Sequence, residues 1–202
     1  MKNFLMMTPS FLISLLSLMW ACNVSPQSPD DQLKQDLQNL SGTYMDLTPY
    51  AYGDAFGQRT FTFEEGKWTL TFTLGLDPEL KIPVFEFRTV GTYEVLEKSQ
   101  VVPEAFEALF LEDKKYLTLQ TDNPELIQAF GLGACGLIPF EEADISDSGC
   151  ASWASVQECN EDHDLLSLDA EGLLYFGVRP TDNNMCTADR RPTTLTPPVT
   201  KI

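Results

Sequence analysis

The run Glu161-Asp162-His163-Asp164 has the make-up of acid–base chemistry: an imidazole flanked by carboxylates can serve as a general base. No nucleophile for it to activate stands in a recognisable setting such as G-x-S-x-G. A solvated loop beside Cys159 accounts for the run without chemistry. His163 is the single histidine, so a site needing two imidazoles from one chain is excluded. Asp144-Ile145-Ser146-Asp147-Ser148-Gly149 begins like a calcium loop, but the twelfth position, where a bidentate Glu belongs, is Ser155. Arg59, Arg88 and Arg179 are among only 13 Lys and Arg. One of them at a pocket mouth could hold a carboxylate head group. Surface pairing is the expected state, because 30 Asp and Glu surround them. The chain has no Walker-type phosphate loop, dinucleotide fingerprint or C-x-x-C pair. No catalytic residue, metal ligand or cofactor is therefore expected.

The cysteines carry different information. Residues 1–21 read as a secretory signal, with Lys2 in the positive region and Phe11 to Met19 as the apolar stretch. Ala21 followed by Cys22 resembles a bacterial lipobox, in which the Cys22 thiol is acylated and becomes the new N-terminus. Ordinary signal cleavage and a retained anchor are the alternatives. A span needs about 20 apolar residues, and Thr8, Pro9 and Ser10 interrupt this one. Removing Cys22 to the lipid leaves Cys135, Cys150, Cys159 and Cys186. In an oxidising compartment four cysteines form two bridges, with three possible connectivities. Cys135–Cys150 with Cys159–Cys186 closes local loops and is the expected pairing. The wide spacing argues against zinc. The expected location is outside the cytoplasm on a bacterial membrane. Asn23 after the cysteine points to the outer membrane in a Gram-negative cell.

The chain has 202 residues, 43 % of them hydrophobic, which suits one folded domain with a sizeable core. Its formal charge of −17 becomes −18 once Lys2 leaves with the signal. Such a surface repels phosphate backbones, so nucleic acid is not an expected partner. It also repels anionic lipid, so the acyl chain must hold the protein at the membrane. A monomer is expected.

The elements that would position any site follow from periodicity. Leu33, Leu37 and Leu40 share one face of a short helix over 29–40, ended by Ser41-Gly42. The period then changes to two. Thr60 to Phe63 and Trp68 to Leu74 flank a Glu64–Lys67 turn, with threonine on one face. Val84 to Arg88 alternates, Gly91 breaks the run, and Thr92 to Leu96 resumes it. Ala108 to Leu111 and Tyr116 to Gln120 flank Glu112-Asp113-Lys114-Lys115, which reads as the turn of a second hairpin. Asn123-Pro124 starts a short helix over 125–130. Leu165 to Leu168 and Leu173 to Phe176 make a third hairpin. Pro192, Pro197 and Pro198 restrict the end of the chain to an edge strand. Several short hairpins with little helix predict a mostly β sandwich or barrel.

Gly42-Thr43-Tyr44, Arg59 to Phe63 followed by Trp68, and Gly91-Thr92-Tyr93 occur in a recognisable order. Cys135-Gly136, Gly149-Cys150, Leu174-Tyr175-Phe176-Gly177 and Arg191-Pro192 continue it. This order resembles the lipocalin-like domain of the adenomatosis polyposis coli down-regulated family, which includes bacterial lipoproteins. Gly42-Thr43-Tyr44 is similar to the lipocalin G-x-W start, with Tyr for Trp. The resemblance spans about residues 40–195. It implies an antiparallel lipocalin-like barrel or half-barrel with one or two short helices, binding a lipid or fatty acid without catalysis. The expected organisation is signal 1–21, lipidated cysteine, tether and helix 22–40, β domain 41–195 and tail 196–202. On such a barrel Phe61, Phe63, Trp68, Leu70, Phe72, Phe85, Phe87 and Tyr93 form the expected ligand-binding wall. A barrel of about eight strands can equally be filled by its own side chains. A packed, disulfide-stapled interaction module is then the alternative.

Overall fold

The computed structural model describes residues 27–202. The expected signal, Cys22 and most of the tether lie outside the described residues. Ser28 caps helix α1 (Pro29–Gln38), accepting from the Asp31 backbone N–H at 3.1 Å. Five strands follow: β1 (Gly42–Met45), β2 (Tyr50–Tyr52), β3 (Ala55–Glu64), β4 (Lys67–Gly75) and β5 (Pro83–Lys98). Then come β6 (Phe106–Leu119), helix α2 (Pro124–Ala129) and β7 (Glu142–Asp144). β8 (Glu161–Leu168), β9 (Leu174–Phe176) and β10 (Thr200–Lys201) complete the chain.

The strands pair antiparallel in the order β10-β1-β3-β4-β5-β6-β8-β9, with β2 added to β3 and β7 to β6. The fold is mostly antiparallel β, a nearly closed barrel with two helices, as the periodicity predicts. The end of the chain completes the circle. Leu174 and Val199 exchange backbone hydrogen bonds at 3.0 and 2.8 Å, and the Thr196 N–H donates to the Phe176 carbonyl at 2.8 Å. Thr200 and Lys201 then pair with Met45 and Tyr44 of β1. β10 stands at the edge of the strand order, as expected, and the residues just before it bridge to β9 and the residue after it. Pro197 and Pro198 fall between the donors Thr196 and Val199, so they withdraw neither N–H from the ladder.

The threonine–aromatic alternation builds the β3–β4 hairpin with Phe61 opposite Leu70 and Phe63 opposite Trp68 on the inner face. Helix α1 plugs one end of the barrel. Leu37 is fully buried there among Tyr44, Phe63, Tyr93, Val95 and Phe106, with Leu33 and Leu40 beside it. Hydrogen bonds fix the plug: the Tyr93 hydroxyl accepts from the Leu40 N–H and donates to the Gln38 carbonyl at 2.9 Å. The Gln38 amide oxygen accepts from Val95 N–H at 2.7 Å. A second apolar cluster covers the other end, where Leu132, Ile145, Cys150 and Trp153 fold over Phe85, Phe87, Leu117 and Leu119.

The expected second hairpin is absent. Residues 106–119 form one strand, and Glu112 to Lys115 is a bulge in it. Val90 pairs with Lys114 and Gly91 with Glu112, so Asp113 is the extra residue. Gly91 makes this possible, because a Cβ there would overlap the Leu111 carbonyl oxygen. The extra residue shifts the strand's alternation by one. Phe106, Ala108, Phe110 and Glu112 are buried before the bulge, and Lys115, Leu117 and Leu119 after it. Both charged residues therefore turn into the barrel.

Candidate functional site

Between the plugged end and the covered end lies a cavity of about 1680 Å³. Its wall is laid down by period-two alternation. Phe61 comes from β3, Trp68, Leu70, Phe72 and Leu74 from β4, and Phe85 and Phe87 from β5. Phe110 of β6 and Phe176 of β9 complete it. Leu70 and Phe72 point inward yet are only half-buried, which is the signature of an inner face that fronts a void. Ring contacts stiffen the wall. Phe61 stacks on Phe176 at 3.8 Å between centroids, and Trp68 meets Phe110 edge-on at 4.7 Å. From the covering loop Trp153 stacks on Phe87 at 5.0 Å. Tyr52 tilts against Phe72 at the rim.

Six of the eight residues expected to form the wall line this cavity: Phe61, Trp68, Leu70, Phe72, Phe85 and Phe87. Phe63 and Tyr93 do not. They belong to the plugged end, packed against each other at 5.1 Å and against α1.

The interior also holds charge, which the sequence reading placed on the surface. Arg59 is buried. Its guanidinium grips both carboxylate oxygens of Asp46 at 3.0 and 2.7 Å, and donates to Thr196 Oγ1 and the Pro197 carbonyl. Arg179 follows β9 and lines the cavity, its side chain 30 % exposed. It donates to both oxygens of Asp162 and to the Asn183 side chain. Burial works against its charge, but Asp162, Asp164 and Glu112 outweigh burial and raise its pKa. Only Arg88 is a surface pair as expected, bidentate to Glu142 at 2.8 Å and stacked on Tyr116.

The bulge supplies the third pair. Lys115 Nζ lies 2.8 Å from Glu112 Oε2, with side chains 4 % and 6 % exposed. The same ammonium donates to the carbonyls of Cys159 at 2.7 Å and Ala154 at 3.1 Å. Burial raises the Glu112 carboxyl above its usual range, with Asp162 adding to the shift and Lys115 opposing it. On β8, Asp164 is fourth. Its Oδ1 accepts from the backbone N–H groups of Leu165 and Gly177 at 2.7 and 2.9 Å. Burial nevertheless pushes its pKa up to about 6. At the rim, burial lifts the Tyr50 phenol to about 12, against the pull of Arg59.

The Glu161-Asp162-His163-Asp164 run is the start of β8, not a solvated loop. Strand alternation turns Asp162 and Asp164 inward and His163 out. His163 Nε2 meets Glu161 Oε2 at 3.1 Å and the residue takes no part in lining the cavity. The signal was present: the polar run continues in phase into Leu165 to Leu168. Asp144, the head of the calcium-like loop, is held by Lys114 at 3.0 Å and by the Ser146 N–H.

Two disulfides staple the loops around the cavity. Cys135 joins Cys150 in the segment that carries Trp153, with 5.5 Å between the Cα atoms. Cys159 joins Cys186, tying the approach to β8 to the loop that holds Arg179 and Asn183. Among the described residues no helix is long and apolar enough to cross a membrane. Comparison with models of known protein families and with curated proteins finds no match.

Proposed function

We propose that this protein is an exported, lipid-anchored carrier that takes a hydrophobic ligand, of lipid size, into its barrel without transforming it. The carrying observation is the cavity of about 1680 Å³ behind an aromatic wall. Small-molecule pockets are commonly about 300–1,000 Å³, so the space suits an acyl chain or several. Burial of that chain against the wall supplies roughly 25 cal/mol per Å², less the ordering cost. The resemblance to the lipocalin-like domain supports the same reading. His163 facing away from the cavity supports a non-catalytic role. Two disulfides fit an oxidising compartment, and acylation at Cys22 would hold the carrier beside its source of lipid.

Native mass spectrometry of the oxidised protein tests this. A hydrophobic adduct that leaves on unfolding is the expected result, with the polypeptide four hydrogens lighter than its reduced form. A clean apo mass, with no uptake of added phospholipid or long-chain alcohol, would overturn the carrier and favour a stapled interaction module.

A further inference from the structure

The charges inside the cavity are not balanced, and the imbalance bears on the ligand's head group. Each interior cation is already engaged. Lys115 is ion-paired with Glu112 and donates to the carbonyls of Ala154 and Cys159. Arg59 commits four of its five N–H donors, and Arg179 likewise four. The three cations are matched by Asp46, Glu112 and Asp162.

Asp164 is left over. Both of its described hydrogen bonds arrive at Oδ1, from two backbone N–H groups. Its Oδ2 takes no protein donor, and no buried side-chain oxygen among the described residues lacks a partner, so Oδ2 keeps an accessible face. The residue is only 7 % exposed and lines the cavity, so that face looks into the void. Arg179 acts on this carboxylate only at a distance, its bonds going to Asp162 and Asn183. A buried carboxylate with an open oxygen and no salt-bridge partner is an acceptor waiting for a donor.

Resting on the carrier reading, we propose that the cavity selects amphiphiles with a protonated amine head, held at Asp164, over carboxylates of the same chain length. A fatty acid brings a second negative charge toward Asp164 and finds the cations occupied. An ammonium head supplies the missing charge and a donor for Oδ2. The formal charge of −17 favours the same sign of ligand at longer range.

The test displaces a neutral fluorescent probe, N-phenyl-1-naphthylamine, from the full oxidised protein at pH 8. The competitors are dodecylammonium, dodecanol and dodecanoate. Dodecylammonium should bind at least about tenfold tighter than dodecanol, the worth of one charge-assisted hydrogen bond. Dodecanoate should bind more weakly than dodecanol. In Asp164→Asn the amide keeps an oxygen for the two backbone donors, and the preference for dodecylammonium over dodecanol should vanish. An unchanged far-ultraviolet circular dichroism spectrum certifies that the variant is folded. The wild-type comparison needs no variant: dodecanoate equal to or tighter than dodecylammonium overturns the head-group assignment while leaving the carrier standing. An amine preference that survives in Asp164→Asn overturns it too. If neither the probe nor dodecanol binds, the carrier reading falls and takes this inference with it.

Discussion

Asp164 also makes a quantitative demand on the empty protein. Burial raises its carboxyl from 3.8 to about 6, although two backbone N–H groups and Arg179 pull the other way. The folded state therefore binds this proton more tightly than the unfolded chain does. The resulting stabilisation is complete below the unfolded value of 3.8 and is lost as pH rises through about 6. A shift of about two pK units is worth about 3 kcal/mol over the whole window. The acidic chain is least soluble near its isoelectric point of about 4.2, so the practical range begins at pH 5. Between pH 5 and pH 8 roughly 1.4 kcal/mol of the effect remains. Asp164→Asn removes the titration, and its fixed cost does not vary with pH. Urea unfolding of both proteins, followed by tryptophan emission with the disulfides intact, gives the difference at each pH. The wild type should lose about 1.4 kcal/mol relative to the variant on going from pH 5 to pH 8. Two profiles that stay parallel across that range would show that the buried carboxyl does not carry the raised pKa.

Other outcomes follow from the packing. Arg59→Met leaves the Asp46 carboxylate buried and uncompensated, so it should cost about 3–5 kcal/mol in urea unfolding, and Arg59→Met with Asp46→Leu should cost less than the single change; a single-variant loss below about 1 kcal/mol would remove the pair from the account. Gly91→Ala places a methyl against the Leu111 carbonyl and should lower the midpoint of thermal unfolding by several degrees, since a bulge held by backbone cannot yield; an unchanged midpoint refutes that. Leu37→Ala empties a fully buried site at the plug and should cost about 2–5 kcal/mol, with faster hydrogen exchange in α1 than in β3. Loss of stability with α1 still as protected as before would mean the helix is not held by that contact. Cys135→Ala with Cys150→Ala opens a 15-residue loop, should cost about 3 kcal/mol, and should redden the emission of Trp153 by loosening it from Phe87; an unmoved spectrum would count against the loop as a cover.

What could be read from the sequence was what depends on neighbours along the chain. Thr–Phe alternation is enough to place the β3–β4 hairpin and its inner face. Asn123 and Pro124 are enough to start α2, where the Asn123 side chain accepts from Glu125 and Leu126. Phe61, Trp68, Leu70, Phe72, Phe85 and Phe87 follow from the same alternation. The charged interior could not be read this way. Glu112 to Lys115 has the composition of a turn, and only Gly91, on the opposite strand, makes it a bulge. Asp162 looks solvated until Arg179, seventeen residues later, is brought against it. Phe63 and Tyr93 have the right period for the wall, but α1 occupies their part of the barrel. A face can be assigned from sequence. The depth along the barrel at which a residue meets helix, void or rim depends on partners the local pattern does not contain.

The seam made by the end of the chain sets an order of events during synthesis. Arg59 is finished only by Thr196 and Pro197, which lie 137 and 138 positions later. Until residues 194–201 arrive, the inner edges of β1 and β9 stand unpaired with the aromatic wall open between them. Such an intermediate is a sticky, curved sheet, slow to resolve because its closing contacts are among the most distant in the sequence. Loss of residues 194–202 would therefore leave an open sheet with two reactive edges, prone to join other copies.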